Sequence, residues 1–569
     1  MEFFLNLPNS TLDFNSSVAM RYFTSWLKKP YHSKGLDPLG IQAPAISIYG
    51  QLLPGITNVT DRARYYSFYP WMVRAFEKTS PENTYETLRE WIRRSDCLFT
   101  MIGIRHGLRA KQNNYPLHAR ALIGTSTLSP IVQGIDDDSE VHLGVFTELE
   151  NNPQRYFKNQ LGGLRQYYIG TFDSLGLMKR QGRGVANTNE VGIPIAEAME
   201  SFVNSDLFIE TVKSGKVTAS VLDELVKFCP CKLIESENEH SALLDLFFAR
   251  EGFDDEAGRQ RRSTLGLILH LIQAVIDNEN PEAYFNQDVY RACVYTNSLP
   301  DGSVWPLPPG LEFTRRQWRV YQKHELLSAA VQSIFWVALR MIEESSKPLW
   351  STEDFIKWFS AQPVVKDATK SFGGQSFASA VEHARKSLPE LQDWLHKDHE
   401  IQIVGLALEG CDDENPGDYS SILFNASRVL LALFARDEME AGAYEPLHFP
   451  EDFFRLYALN LQSMRQKFFS NWNSMALDDW LAWMAGYWGI EAHFRVAFRK
   501  LRSQNKDTLH IIPTDFGLVV QEMPSPTYTT PRFNQGVQIL EDLGAVTRKD
   551  NNRTTLTSLG QTLREETYA

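Results

Sequence analysis

Apolar residues recur at helical spacing over much of this chain, and strand-like alternation is scarce. Between residues 325 and 341 the apolar positions follow a 3.6-residue period, which predicts a helix packed on a core. The segment 264–272 is apolar almost all round, as is typical of a central buried helix. We therefore predict a mainly α, multidomain protein.

Turn-forming and proline-rich segments interrupt this helical pattern at 305–310 and 412–418. A chain of 569 residues also exceeds what one hydrophobic core usually holds. We predict five units, which are an N-terminal loop-rich and helical region (1–125), a winged-helix-like module (126–200), a central helical domain (201–410), a C-terminal helical region (411–505) and a second winged-helix-like module (506–569).

Two segments share one layout, and this internal repeat is the main functional signal. Gly192 follows Gly176 by sixteen positions, and Gly560 follows Gly544 by the same distance. A helix is predicted before the first glycine of each pair, at 166–174 and 535–542. The glycine allows the left-handed turn that ends this helix, and a strand, a polar hairpin, a strand and a final helix follow. Such a module resembles the winged helix, a variant of helix-turn-helix.

Both predicted hairpins are basic. The first carries Lys179, Arg180 and Arg183, and the second carries Arg548, Lys549 and Arg553. Three cations on each hairpin can contact the phosphates of DNA. Winged helices also dock other proteins, and an exposed hairpin is often basic without any partner. Both alternatives stay open at this point.

Further basic segments carry the same ambiguity. Arg495, Arg499 and Arg502 share one face of a predicted helix, opposite an apolar face, which suits either phosphate contact or a solvated surface. The cations at 259–262 are equally ambiguous. For the cationic and aromatic run 315–325, a helix start with a buried Trp318 is the simpler explanation.

The net charge argues against a protein that coats DNA non-specifically, and the length of the apolar stretches argues against a membrane protein. With 70 acidic and 57 basic residues the net charge is −13, whereas a protein that coats DNA non-specifically is usually basic. Any nucleic-acid contact must therefore use local basic patches. Apolar stretches such as 265–276 are too short to span a bilayer, and Glu2 stands where a secretory signal needs positive charge. We expect a cytoplasmic protein with no membrane association.

Five cysteines form an odd and sparse set, which fits a reducing compartment. Cys229-Pro230-Cys231 lacks the second pair of ligands that a structural zinc site needs, and the nearby His240 adds one ligand at most. The segment 396–400 is explained more simply as a polar loop. We therefore predict no metal and no cofactor.

The sequence contains no P-loop and no nucleophile elbow. Glu148 and Glu150 follow an apolar segment, but neither has the lysine two residues further on that a restriction-type nuclease core uses. We assign no catalytic residue and favour a non-enzymatic role. A nuclease with a diverged metal site remains an alternative.

The segments 53–57, 60–65 and 68–71, together with 318–325 and 493–502, resemble blocks of a family of large bacterial proteins. Its members are encoded beside helicases, nucleases or ATPases in anti-phage and anti-plasmid gene clusters. The resemblance implies a subunit of a defence complex, associated with double-stranded DNA and with such protein partners. A scaffold that docks a partner without touching DNA is the alternative. Arg62 and Arg64, in an aromatic setting, are expected to pair internally.

Overall fold

Helices account for 64% and strands for 7% of the residues that the structure describes, which confirms the prediction of a mainly α protein. The computed structural model describes residues 31–32, 35–80, 82, 84–110, 118–136, 139–148, 153–250, 252–278, 285–372, 376–439, 458–548 and 553–567. Residues 1–30 of the predicted N-terminal region lie outside these ranges.

The α-helices of the described residues are α1 Ala43–Leu52, α2 Tyr65–Thr79, α3 Tyr85–Arg109, α4 Thr125–Gln133, α5 Gly144–Thr147, α6 Ile169–Ser174, α7 Gly192–Glu200, α8 Ser205–Ser214, α9 Ala219–Glu224, α10 Glu237–Phe248, α11 Glu256–Asp277, α12 Gln287–Thr296, α13 Pro309–Glu344, α14 Thr352–Ser360, α15 Pro363–Thr369, α16 Phe377–Ser387, α17 Glu400–Gly410, α18 Tyr419–Met439, α19 Leu461–Lys467, α20 Leu477–Trp483, α21 Ala492–Gln504, α22 Phe533–Asp542 and α23 Ser558–Glu566. Short 3-10 and π segments lie at Leu164–Tyr168, Leu225–Phe228, Pro230–Glu235, Lys370–Phe372, Phe468–Trp472 and Met484–Glu491.

The described strands form five two-stranded sheets. Four pairs are antiparallel, namely β2 Glu140–His142 with β5 Lys216–Thr218, β3 Met178–Gln181 with β4 Gly184–Asn187, β7 Ile511–Thr514 with β8 Gly517–Val520, and β9 Val546–Arg548 with β10 Thr554–Leu556. The fifth pair is parallel and joins β1 Tyr31–His32 to β6 Lys506–Asp507.

Helix α13 is the central element of the fold. Pro309 occupies its first turn, where a missing N–H costs nothing, so the predicted proline-rich break ends where the helix begins. Among the described residues it alone is long and apolar enough to span a membrane by length and composition, but 94% of its apolar window is buried inside the protein. Such burial is consistent with the core helix of a soluble protein.

Nearly all of the buried hydrophobic side chains among the described residues form one continuous cluster that extends from Leu39 to Leu563. It includes the segment 264–272 of α11, in which every residue is buried, as the apolar run predicts. Elements from all five predicted units therefore contribute to a shared core. The division of the chain into those units stays a prediction.

The two repeats have the same order of helix, turn, hairpin and helix. Gly176 and Gly544 both adopt the left-handed conformation, with φ of +67° and +72°. Thr188 Oγ1 donates to the carbonyl oxygen of Gly176 at 2.5 Å, and Thr557 Oγ1 donates to that of Gly544 at 2.7 Å. One threonine hydroxyl thus fastens the end of each hairpin to the turn that precedes it.

The second glycine of each repeat lies against backbone. A Cβ atom would lie 2.1 Å from the carbonyl oxygen of Leu177 at Gly192, and 2.0 Å from that of Ala545 at Gly560. The amides of these glycines donate to Thr188 Oγ1 and Thr557 Oγ1 at 3.0 and 3.1 Å. The sixteen-residue spacing therefore reflects a packing constraint that both repeats share.

We expect Gly192→Ala to lower the free energy of unfolding by about 1–3 kcal/mol, because the added methyl group displaces backbone. Gly170→Ala, in α6 of the same repeat, is the matched control, since its Cβ meets nothing within 4 Å. The control should stabilise by about 0.5–1 kcal/mol. Urea denaturation measures both values, and equal effects would contradict the close approach at Gly192.

Candidate metal centre and basic surfaces

Arg62 and Arg64, just before α2, are completely buried and form ion pairs inside the protein. Arg62 Nε lies 2.9 Å from Asp542 Oδ2, and its Nη1 donates to the carbonyl oxygen of Arg120 at 2.7 Å. Arg64 Nη2 lies 2.9 Å from Glu239 Oε2. The expectation that these arginines pair internally is confirmed.

Arg64 also contacts the backbone of a cysteine. Its Nη1 donates to the carbonyl oxygen of Cys229 at 2.5 Å. Arg62 in turn holds the segment at Arg120, two residues after His118. The two arginines therefore fix, at one end of α2, two chain segments that are distant in sequence.

Two histidines and two cysteines meet beside these arginines, and we call them the Cys2His2 cluster: His106, His118, Cys229 and Cys231. Their ligand atoms all lie within 4.8 Å of one another. Cys231 Sγ is 3.5 Å from Cys229 Sγ and 3.4 Å from His106 Nδ1. Cys229 Sγ is 3.5 Å from His118 Nδ1. The imidazole rings meet edge to face, with centroids 4.5 Å apart.

Local structure explains how each ligand reaches the cluster. His106 lies in the last turn of α3. Pro230 starts the 3-10 helix Pro230–Glu235, where its fixed φ is compatible with the first turn and it separates the two cysteines. A Cβ at Gly103 would lie 2.8 Å from the carbonyl oxygen of His118. The glycine therefore allows the segment that carries His118 to approach α3.

Burial and hydrogen bonding affect the two thiols in opposite ways. Burial raises the pKa of Cys229 well above its ordinary value. Hydrogen bonding to Cys229, and then to His106, lowers the pKa of Cys231, which is only half-buried. The cluster thus places two thiols of different acidity beside two imidazole nitrogens.

A surface cavity of about 270 Å³ adjoins the cluster on the side of His106. Arg109 and Asp223 contribute to its lining and form an ion pair. Asp223 also accepts from Arg105 Nε at 3.0 Å. The partly exposed side of the cluster therefore faces a cavity that opens to solvent.

The prediction that Cys229-Pro230-Cys231 lacks a second pair of ligands is wrong. His240, its neighbour in sequence, does not join the cysteines, because its Nε2 hydrogen-bonds to the carbonyl oxygen of Leu543 at 2.8 Å. The second pair comes from residues 111 and 125 positions earlier in the chain. Two cysteines separated by one residue are the only signal of this cluster in the sequence.

The cations of the first hairpin, β3–β4, face solvent. Lys179, Arg180 and Arg183 are exposed, and none of their side chains forms a hydrogen bond or ion pair with another described residue. The hairpin itself is attached to the core, because Asn187 Nδ2 donates to the carbonyl oxygen of Pro70 at 2.8 Å. The hairpin is thus anchored to the core and presents its three cations to solvent.

The helices that precede the two hairpins differ in exposure. In the first repeat, Arg165, Gln166 and Asp173 are exposed along the segment 164–174. In the second, Asn534 is the only exposed residue of the ten in α22. Helix α22 therefore has no free face that could enter a DNA groove, whereas the first helical segment does.

In the second hairpin one cation, Arg548, is less accessible than those of the first. Arg548 is 23% exposed and its Nε lies 3.6 Å from Glu541 Oε2, whereas Arg553 is exposed. Lys549 lies outside the described residues. Their contact with DNA stays a prediction.

The basic face of α21 has the expected orientation. Arg495, Arg499 and Arg502 are exposed, and Val496 and Ala497 on the opposite face are buried. Arg495 and Arg499 also line a cavity of about 180 Å³. The helix therefore presents its arginines to solvent.

Each of the two remaining basic segments contributes a buried arginine to the interior of the protein. Trp318 is buried, and Arg315 Nε donates to Glu312 at 2.9 Å, which confirms the structural explanation of the run 315–325. Arg261 is buried as well, and its Nη2 donates to the carbonyl oxygen of Leu246 at 2.5 Å. Neither Arg315 nor Arg261 is available to a ligand.

The carboxylates considered for a nuclease do not form a metal site within the described ranges. Glu148 forms an ion pair with Arg94 at 2.9 Å, and Glu150 lies outside those ranges. The Cys2His2 cluster is the one group of three or more potential ligands among the described residues. Among the described residues this cluster is therefore the candidate for metal binding by sulfur and nitrogen.

Comparisons with protein-family models, with curated proteins and with solved structures gave no match to this chain.

Proposed function

We propose that this protein is a non-enzymatic, DNA-associated subunit of a bacterial anti-phage or anti-plasmid defence complex in the cytoplasm. In this proposal the first repeat is a winged helix, and its hairpin contacts the phosphates of double-stranded DNA. The observation that supports it most is the hairpin β3–β4, on which Lys179, Arg180 and Arg183 are exposed and have side chains that form no hydrogen bond or ion pair with another described residue.

Free cations matter because a cation that is already paired with a carboxylate gains little from a phosphate. A cation without a partner releases a condensed counterion when it neutralises a phosphate, and this release drives binding. The attachment of the hairpin to Pro70 through Asn187 also limits the conformational entropy that binding would cost. The exposed side of the segment 164–174 lies directly before this hairpin and is the proposed groove-facing element.

The second repeat has a different role in the proposal. Its helix α22 is enclosed by the core, so only the hairpin residues Arg548, Lys549 and Arg553 remain as candidates for phosphate contact. The exposed arginines of α21 are a further phosphate-binding surface. Because the net charge is −13, all of these contacts would be local patches on an acidic protein.

The test is the triple variant Lys179→Gln, Arg180→Gln and Arg183→Gln. If each cation contacts one phosphate, the slope of log affinity against log salt should fall by about 2.7, or about 0.9 per contact. Fluorescence anisotropy with a labelled duplex at several salt concentrations measures this slope.

The matched control is Lys370→Gln, Arg385→Gln and Lys386→Gln, which removes the same charge from cations that pair with Asp367 and Glu382. The control should leave the slope unchanged. A hairpin variant that binds duplex as the unaltered protein does, at every salt concentration, would refute the proposed DNA contact.

A scaffold that docks a helicase, ATPase or nuclease is the second candidate, and one observation favours it. Phe516 is 83% exposed at the tip of the β7–β8 hairpin, and Trp350 is 58% exposed. The amide of Leu518 donates to the carbonyl oxygen of Leu349 at 2.8 Å, so the two aromatic residues lie on adjacent chain segments. Under this alternative the double variant Phe516→Ala with Trp350→Ala disrupts complex formation. The triple variant of the β3–β4 hairpin leaves complex formation unaltered.

A further inference from the structure

We propose that His106, His118, Cys229 and Cys231 bind one zinc ion in a tetrahedral structural site. The site would connect α3, the segment at His118 and the 3-10 helix Pro230–Glu235. This inference is independent of DNA binding and goes beyond the proposed function.

The distances between the side chains fit a zinc ion. Zinc bonds sulfur at about 2.3 Å and imidazole nitrogen at about 2.0–2.1 Å, so that a regular tetrahedron has sulfur–sulfur and sulfur–nitrogen edges of about 3.8 and 3.6 Å. The corresponding distances are 3.5 Å between the sulfurs of Cys229 and Cys231, and 3.4 and 3.5 Å from these sulfurs to the histidine Nδ1 atoms. The other pairs of ligand atoms lie within 4.8 Å of one another, and side-chain adjustment closes them to the spacing of a tetrahedral zinc site.

The ligand types select zinc among the common metals. Magnesium and calcium prefer oxygen ligands, whereas a tetrahedral set of two thiolates and two imidazoles is typical of zinc. Two thiolates also balance the charge of a divalent cation, so a filled site with neutral histidines carries no net charge and can be buried. Any proton still on Cys229 or Cys231 passes to solvent when the metal binds.

The compactness of the cluster favours one metal over a two-iron cluster. In a two-iron cluster with two histidine ligands, both cysteines bind one iron and both histidines bind the other. The intervening iron and sulfide atoms would then separate the histidine pair from the cysteine pair. Here each sulfur lies within 3.5 Å of a histidine nitrogen, which leaves room for a single ion.

Four protein ligands leave no open position, which indicates a structural rather than a catalytic zinc. The surrounding contacts support this assignment, because Arg64 fixes the carbonyl group of Cys229 and Arg62 fixes the segment after His118. The 3-10 helix that carries Cys231 packs on α22 of the second repeat. A bound zinc would therefore hold the second repeat to α3.

The experiment measures zinc in the full-length protein, purified without chelators from cells grown with added zinc. Inductively coupled plasma mass spectrometry should find one zinc per chain. Cys229→Ser with Cys231→Ser should lower the zinc content at least tenfold. Cys411→Ser is the matched control, because its thiol is buried outside the cluster and hydrogen-bonds to the carbonyl oxygen of Ala407. The control should keep its zinc.

A measurement on the unaltered protein decides the matter even where the double variant fails to fold. X-ray absorption at the zinc edge should show two sulfur neighbours at about 2.3 Å and two nitrogen neighbours at about 2.0–2.1 Å. A zinc content near zero, a first shell without sulfur, or a Cys229–Cys231 disulfide in place of the metal would each overturn the proposal. None of these results depends on whether the protein binds DNA.

Discussion

Replacing Arg64 by methionine should lower the free energy of unfolding by about 3–5 kcal/mol, because it leaves the carboxylate of Glu239 buried without a counter-charge. Both side chains of this pair are 0% exposed, and their nearest charged atoms are 2.9 Å apart. Ser67 Oγ still donates to Glu239 at 2.5 Å, but one neutral hydroxyl does not replace a guanidinium. Urea denaturation of the purified variant measures the loss.

Lys78→Met is the control for this prediction. Lys78 Nζ lies 2.8 Å from Glu200 Oε2, but the side chains are 44% and 35% exposed, so water screens the pair. Its loss should cost less than about 1 kcal/mol. The double variant Arg64→Met with Glu239→Leu should be more stable than Arg64→Met alone, since it also removes the stranded charge. An Arg64 variant no less stable than the Lys78 variant would show that the buried pair contributes little.

The stability of the protein should depend on pH through Asp96, with an effect of up to about 4 kcal/mol. Burial raises the pKa of this carboxyl from 3.8 to about 7. Tyr69 Oη and the amide of Gly163 both donate to it at 2.7 Å, and these two bonds only partly offset the burial. A folded-state pKa above the unfolded value means that the folded protein holds the proton more tightly. Stability therefore falls as the pH rises from about 4 to about 7.

The variant Asp96→Asn removes this titration. Relative to the unaltered protein it should become steadily more stable from pH 5 to pH 7, and the difference should level off above pH 7, as denaturation at each pH would show. Burial also raises the pKa of Glu325 to about 7, so the stability of both the unaltered protein and the variant depends on pH through that group. The difference in stability between the two proteins therefore reports on Asp96 alone. Asp254→Asn, at an exposed position, is the control and should follow the unaltered protein. A constant difference across this range would mean that Asp96 titrates normally.

Several features of this fold could be predicted from short stretches of sequence. The apolar run at 264–272 is a buried part of α11, and the periodic segment 325–341 lies within α13. The pairs Gly176 with Gly192 and Gly544 with Gly560 mark two repeats that share hydrogen bonds and close backbone contacts. These predictions succeed because helical periodicity, chain reversal and close backbone approach act over a few residues.

The solvent exposure of the two repeats could not be predicted from short stretches of sequence. The two repeats look equivalent in sequence, yet α22 is enclosed by the core while the segment 164–174 keeps an exposed side. Exposure depends on what the rest of the chain packs against each element, and local residue types do not encode that. For the same reason the sequence does not reveal that the cations of the first hairpin are exposed whereas Arg548 pairs with Glu541.

By itself the sequence determined the helical character, the turns and the duplicated layout, since these follow from backbone preferences of neighbouring residues. Only the tertiary structure decided which distant side chains meet. Cys229 and Cys231 contact His106 and His118 across more than a hundred residues, because buried arginines hold both segments against α2. A ligand set of this kind arises from the path of the chain through space, and no spacing along the chain records it.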